Sequence, residues 1–476
     1  MSTPANPGHS TTDGVRLSEV VSALSYALDI TEGQTAGHSV RTCLIGMRIA
    51  EVIGLDAGAR SALFYALLLK DLGCSSNAAR LCHLFGADDF TLKRIHRLTD
   101  WTDPGSAAKY AYRLALPGRG PLARAWHTVM LGTRQKGSGR EMVQTRCERG
   151  ADIAQLLGLD PATSASIRAL DEHWNGAGLP LGLSGEAIPL LSRIAGLAQT
   201  VEVFHAAMGL DAATAVARDR SGTWFDPALV RAFESTVGDT AFWGTLDATD
   251  QLDQVSDLEP ADRVVLADPT RLDQVARAFA LVIDAKSPFT ARHSEGVAAI
   301  AVGLGQQMGL GPDDQRTLHR AGLLHDIGKL GVSNTILDKP GRLTEAEMAE
   351  MRKHPAYSFE IINRVVEFRG FAGLAAAHHE WLDGTGYHLG LAGRDLDPLA
   401  RVLAVADIAE ALTAERPYRD ALPRDQVLQI MRKQAGPAIC PAAFEALVTT
   451  SAAWKPLPAL AVGGAQRQLA PVGRAG

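Results

Sequence analysis

Seven residues between positions 293 and 407 set the chemical question: His293, His325, Asp326, His354, His378, His379 and Asp407. Imidazole and carboxylate are the ligands of borderline divalent metals, and seven such groups exceed what one ion needs. They imply two ions. A pair of divalent cations roughly 3.5–4 Å apart suits hydrolysis of a phosphodiester. It lowers the pKa of a bridging water until hydroxide exists near neutral pH, and it neutralises the phosphoryl oxygens during in-line attack. Lys329, three residues after Asp326, can place a fixed positive charge on a non-bridging oxygen. Any one of these histidines alone reads as a helix cap or a satisfied core group. Seven together in one helical region read as a metal centre, with Asp326 and Lys329 as its catalytic residues.

The elements that must position these groups are helices. "LHRAGLLHDIG" places His325 and Asp326 at the end of an apolar helix that Gly328 stops, and His354 precedes Pro355, a favoured first helical residue. "FAGLAAAHHE" ends on His378 and His379 before the turn "DGTG", and Asp407 sits inside "ARVLAVADIAEAL". A carboxylate among Leu403, Val405, Ala406 and Ile408 is expensive to bury unless a cation or strong hydrogen bonds compensate it. Apolar residues recur at three- and four-residue spacing from Val15 onward ("LSEVVSALSYALDI", "SVRTCLIGMRIAEVIGL", "ARSALFYALLLKDLG") and again from Leu272 to about Thr450, with little strand-type alternation. The fold class is therefore all-α.

The two helical sets align with each other. "DITEGQTAGHS" matches "DAKSPFTARHS" and "ALLLKDLGC" matches "AGLLHDIGK", both 255 positions apart. "RCERGADIAQ" matches "HPAYSFEIIN" and "LDEHWNGAGLPLGL" matches "HHEWLDGTGYHLGL", both 208 apart, so the first copy holds 47 additional residues between Cys74 and Arg146. Two registers that each hold over separate motifs mark a tandem duplication. The expected division is a leader over 1–14, a first domain over 15–246, a linker over 247–271, a second domain over 272–452 and a tail over 453–476.

The second copy closely resembles the HD-GYP family, a branch of the HD superfamily of metal-dependent phosphohydrolases. "DAKSPFTARHSEGVA", "LLHDIGKLGV", "KHPAYSFEI", "HHEWLDGTGY" and "ARVLAVADIAEALTAERPYRDAL" carry the resemblance. It implies tandem HD-type helical domains and a two- or three-metal centre, often iron or manganese. It also implies hydrolysis of a cyclic dinucleotide, most often cyclic di-GMP, opened to the linear dinucleotide and sometimes to GMP. The family's ligands fall on the seven residues above and its phosphate-contacting lysine on Lys329. Its substrate-side loop falls on Asp383, Gly384, Gly386 and Tyr387, and a further family segment on Arg416 to Arg419, which adds Arg416 and Arg419 to the substrate side. Two departures stand out. The third residue of Gly-Tyr-Pro is His388, which loses a proline's fixed φ. The glutamate that three-metal members place four residues before the first ligand histidine is Phe289, so two ions are expected.

In the first copy only His38 and Asp71 keep ligand chemistry. Lys70 stands opposite His325, Arg146 opposite His354, Leu170 and Asp171 opposite the histidine pair, Gln199 opposite Asp407 and Cys74 opposite Lys329. Lysine and arginine stay protonated and cannot ligate a cation. This copy is expected to lack the metal centre and to serve as scaffold or dimer surface, or to bind an anionic nucleotide through Lys70 and Arg146. A net charge of −6 excludes nucleic-acid binding as the main business. The five scattered cysteines read as free thiols. The absence of a long apolar run or a signal-like start reads as a cytoplasmic protein with no membrane partner. The partners expected are a cyclic dinucleotide and a second copy of the chain. The competing readings are a receptor that binds a cyclic dinucleotide without turnover, and a hydrolase of another nucleotide or phosphomonoester.

Overall fold

The computed structural model describes residues 15–134, 137–246, 255, 257–290, 292–414 and 420–450. The expected leader and tail, and Arg416 and Arg419, lie outside them. The described residues form helices with only isolated bridges between extended segments. An aspartate followed by proline begins many of the helices. Asp103, Asp160, Asp226, Asp268 and Asp397 each accept from backbone N–H groups of the first turn while the proline supplies a fixed φ. One such pair starts the second helical set at Pro269, three residues before the expected Leu272.

The duplication is visible in the packing. In the first half, helix His38–Val52 packs on Leu17–Thr31, Ala57–Leu69 and Leu190–Met208. In the second, helix His293–Gln307 packs on Pro269–Asp284, Pro312–Leu324 and Pro398–Thr413. The pair Ser138–Leu156 and Pro161–Arg168 recurs as His354–Asn363 and Arg369–Ala376. The 47 additional residues fall among helices Ala78–Phe85, Asp89–Arg97, Pro104–Leu114 and Pro121–Arg134.

The halves embrace each other reciprocally. Leu17–Thr31 lies against Ile327–Gly331 and His354–Asn363 of the second half, and Pro269–Asp284 lies against Ser138–Leu156 and Cys74–Asn77 of the first. One contiguous set of buried apolar side chains runs through both. The described part of the segment between them is docked. Glu259 accepts from Ser18 at 2.7 Å and Tyr65 at 2.6 Å, and the Leu17 and Ala267 N–H groups bond Val265 and Val15 carbonyls at 2.7 Å. A second bridge comes from the insertion. The Asp89 carboxylate, fully buried, accepts from Asn334 N–H at 3.0 Å and lies 3.6 Å from Lys286 Nζ. All five cysteines are free, as expected. Among the described residues no helix is long and apolar enough to cross a membrane.

Candidate metal centre

The seven predicted ligands converge. His293 opens helix His293–Gln307, His325 and Asp326 follow helix Pro312–Leu324, and His354 opens helix His354–Asn363. His378 and His379 sit in the turn just after helix Arg369–Ala376, which ends two residues before the pair, while Asp407 lies within Pro398–Thr413. Donor atoms of His293, His325 and Asp407 lie within 4.8 Å of one another, as do those of His354, His378 and His379, and those of His325, Asp326 and His378.

Asp326 joins the groups. Its Oδ2 faces His293 Nε2 and His325 Nε2, both at 3.4 Å, and Lys329 Nζ at 2.5 Å. Its Oδ1 faces His354 Nε2 at 3.3 Å and His378 Nε2 at 3.6 Å. Asp407 Oδ1 lies 3.3 Å from His293 Nε2 and 3.7 Å from His325 Nε2. A carboxylate whose two oxygens look toward separate imidazole clusters has the donor set of a bridging ligand.

The far nitrogens are fixed by other partners. His325, His354 and His378 place Nδ1 2.8, 2.8 and 2.7 Å from the carbonyls of Gly322, Met351 and Ala375, and His293 Nδ1 bonds Glu410. Each Nε2 is thereby turned inward, the arrangement by which outer partners orient metal-ligating imidazoles. His325 Nε2 and Asp326 Oδ1 are buried without a hydrogen-bond partner. Such orphans are costly in a dry interior, so the residues fit divalent cations. These are His/Asp clusters able to bind metal.

Burial alone would neutralise His293, yet the Glu410 carboxylate and bonds to Asp326 and Asp407 hold its pKa well above the usual value. Burial likewise opposes charge on His325, but Asp326 and Asp407 raise it to about 9. Burial opposes charge on Asp326 and Asp407 too; Lys329 and His325 beside the first, and His293 and His325 beside the second, keep both well below the carboxylate range. Burial pushes His354 down, His378 well down and His379 to about 3.

The loop after the histidines is built on Glu380, which the sequence reading missed. Its buried carboxylate accepts from His388, Leu389 and Gly390 N–H at 3.1, 2.6 and 3.1 Å and from Leu391 N–H at 3.0 Å. The His388 bond is one that a proline cannot make, and His388 joins none of the donor clusters. Gly386 is demanded by space, since a Cβ there would lie 2.5 Å from Glu380 Cα and the His379 carbonyl. Gly384 adopts φ +76°. Asp383 accepts from Thr385 N–H and Oγ1 at 2.9 and 2.7 Å and closes the turn. Tyr387 stacks on His379, centroids 4.6 Å apart, beneath Arg352.

The first half keeps this framework and replaces the ligands. Glu172 receives Leu181, Gly182 and Leu183 N–H as Glu380 does, and a Cβ on Gly178 would collide with Glu172 and Asp171. Glu202 bonds His38 Nδ1 as Glu410 bonds His293. The Lys70 ammonium lies 2.9 Å from His38 Nε2 and pairs with Asp71 Oδ2. Arg97, from the insertion, reaches the other oxygen, Asp71 Oδ1, at 2.7 Å and Glu32 at 2.6 Å. Arg146 pairs with Asp171. Glu32, Asp71 and Cys74 cluster closely enough to hold an ion, but Arg97 already spans two of them.

The HD domain family model matches residues 133–229 and 277–441. A 3′3′-cGAMP-specific phosphodiesterase of Vibrio cholerae is 44% identical over 90% of this chain and 94% of its own length. A cyclic di-GMP phosphodiesterase response regulator of Xanthomonas campestris is 35% identical over 37% of this chain and 46% of its own. The crystal structure of a cyclic GMP-AMP specific phosphodiesterase of V. cholerae superposes with a TM-score of 0.63 at 39% identity, covering 92% of this chain and 98% of that one. The chain belongs to the HD domain family, in its HD-GYP branch.

Proposed function

We propose that the second half, residues 272–452, is a metal-dependent phosphodiesterase that opens a cyclic dinucleotide to its linear form. The observation that carries this reading is Asp326, whose two oxygens face two imidazole clusters. In this reading two divalent ions, iron or manganese, are held by His293, His325, Asp407 and Asp326 on one side and by Asp326, His354, His378 and His379 on the other. When bound, they supply Lewis acidity that lowers the pKa of water and offsets charge on the phosphoryl oxygens.

The chain's own groups do the rest. Glu410 and the carbonyls behind the histidines hold the imidazoles in one tautomer. Lys329, about one-fifth exposed and resting on Asp326, turns its ammonium to a non-bridging phosphate oxygen. The Tyr387 ring, packed on His379 and under Arg352, shapes the substrate side of the centre. Gly384 and Gly386 let backbone approach the ligand, while Asp383 acts by shaping the turn. Arg416 and Arg419 are assigned to the substrate side by the family resemblance alone. The first half, residues 15–246, contributes no ions of its own.

The substrate expected from the family at large is cyclic di-GMP. The V. cholerae relative that spans nearly the whole chain is named for 3′3′-cGAMP, which favours the mixed dinucleotide here. The test is incubation of manganese- or iron-loaded protein with 3′3′-cGAMP, cyclic di-GMP and cyclic di-AMP, with His325→Ala and Asp326→Ala alongside. Linear product from 3′3′-cGAMP, lost in both variants, is the expected result. Tight binding without hydrolysis would make the protein a receptor.

A further inference from the structure

Where the second half gathers its ligands, the first half has a cavity of about 410 Å³, within the range of small-molecule sites. Cys74, Arg146, Asp171 and Gln199 line it, the positions that stand opposite Lys329, His354, His379 and Asp407. One side of its wall, from Leu81 to Tyr110, comes from the insertion, which has no counterpart in the second half.

Its chemistry differs from that of a phosphate pocket. The cations on its wall are paired: Arg97 with Glu32 and Asp71, Arg146 with Asp171, and Lys93 with Glu32 at 3.6 Å and the Thr31 carbonyl at 2.7 Å. Its two histidines are neutral, since burial and neighbouring arginines push His96 down to about 3 and His173 to about 4. Aromatic side chains line the space, Phe85, Trp101, Tyr110 and Trp224 among them, with the Arg220 guanidinium over the Trp224 ring. Trp101 lies 4.4 Å from His96 and 4.9 Å from Tyr110, and Trp224 stacks on His173 at 4.1 Å. Two residues of the wall carry a buried side-chain atom without a partner among the described residues: Gln199 Oε1, on a side chain more than nine-tenths buried, and His173 Nδ1. An orphaned amide oxygen just behind an aromatic wall asks for an N–H donor, which a bound molecule supplies once the Gln199 amide turns toward the space.

We propose that this cavity is a binding site for an uncharged heteroaromatic molecule that carries an N–H donor, held by stacking on the aromatic wall and by a hydrogen bond to Gln199. The paired cations turn away phosphate and carboxylate, because an anion would have to break a buried ion pair to find a counter-charge. Duplication has thus yielded one pocket for a charged substrate and one for a neutral ring. The proposal stands whether or not the second half hydrolyses a dinucleotide.

The test uses the full chain, titrated with adenosine, guanosine and their 5′-monophosphates, read by tryptophan fluorescence and calorimetry. At least one nucleoside should bind and quench fluorescence, with its monophosphate at least about tenfold weaker, since loss of one buried hydrogen bond or one unpaired charge is of that order. Gln199→Leu should weaken binding about tenfold at an unchanged melting temperature, and Trp101→Ala should remove most of the quenching. Asp326→Ala should leave binding intact, which separates this pocket from the second-half centre. The proposal is overturned if neither nucleoside binds at millimolar concentration, if the monophosphates bind as well, if both pocket variants bind like the parent, or if Asp326→Ala abolishes binding.

Discussion

The two halves solve one electrostatic problem in two ways. Each buries an aspartate just after its third helix, Asp71 or Asp326, with a lysine ammonium on one oxygen. In the second half one oxygen has only imidazoles before it and is left unpartnered. In the first, Lys70 and Arg97 bring covalently attached cations to the two oxygens. What both halves keep is instructive: Glu202 and Glu410 behind the first histidine, Glu172 and Glu380 under the loop, and glycines at 73 and 328 where a Cβ would strike a carbonyl. Those groups serve the fold, since they persist where the ligands are gone. The backbone makes a related point. Gly37 and Arg292 hold the same left-handed position before the first histidine, at φ 84° and 63°. The costly non-glycine version stands before the candidate metal centre, where such strain tends to gather.

The sharpest way to break the comparison is to remove both aspartates in turn. Asp326→Ala should lower turnover by about 10³-fold, as expected when several kcal/mol of charge stabilisation goes, and should empty the protein of metal by elemental analysis. Asp71→Ala should leave metal content unchanged; retention of full metal by the first variant would undo the assignment. Lys70→Met comes next. It strips a buried charge pair of one partner and should cost about 3 kcal/mol in denaturant unfolding, with metal content unaltered. Glu410→Gln should weaken metal affinity 10- to 100-fold, the usual effect of losing an outer partner, and an unchanged affinity would show that Glu410 is only structural.

Proton linkage sharpens the contrast further. Protonated imidazole cannot ligate, and neighbouring carboxylates raise His325 to about 9 and hold His293 well above its usual value, so binding must expel protons. Metal affinity should climb about tenfold per pH unit for each proton expelled as pH rises from 6 toward 9. Calorimetry in buffers of different ionisation heat should register the release; a flat profile would contradict it. Smallest of all, Glu172→Gln should reduce stability by about 1 kcal/mol through weaker bonds to its loop, measurable as a shift in the unfolding midpoint at unchanged metal content.

The ligand set was legible because histidine and aspartate at apolar helix ends have few other uses, and the duplication because its two registers hold over separate motifs. Glu410 and Glu380 were not picked out. A glutamate on a helix or beside a turn reads as surface, and only the fold shows that Glu380 is buried. A signal was present all the same: Glu202 and Glu410, like Glu172 and Glu380, sit 208 positions apart, in register with the recognised motifs. The insertion could be sized from the offsets, but no local pattern links Arg97 to Asp71, 26 residues away. The pairing of Lys70 with Asp71 and of Arg146 with Asp171 was out of sight for a related reason, because carboxylate partners are set by packing.

The reciprocal embrace has a practical consequence. The short helix Asn334–Leu337 takes its N-terminal bond from Asp89, and Gly331 rests near Ile30, so the segment just past Lys329 is finished by residues from the other copy. Truncation to the C-terminal copy would therefore bare apolar surface and unpair a buried lysine at once. The two copies pack as a dimer fused into one polypeptide, with the first forming a wall for the second.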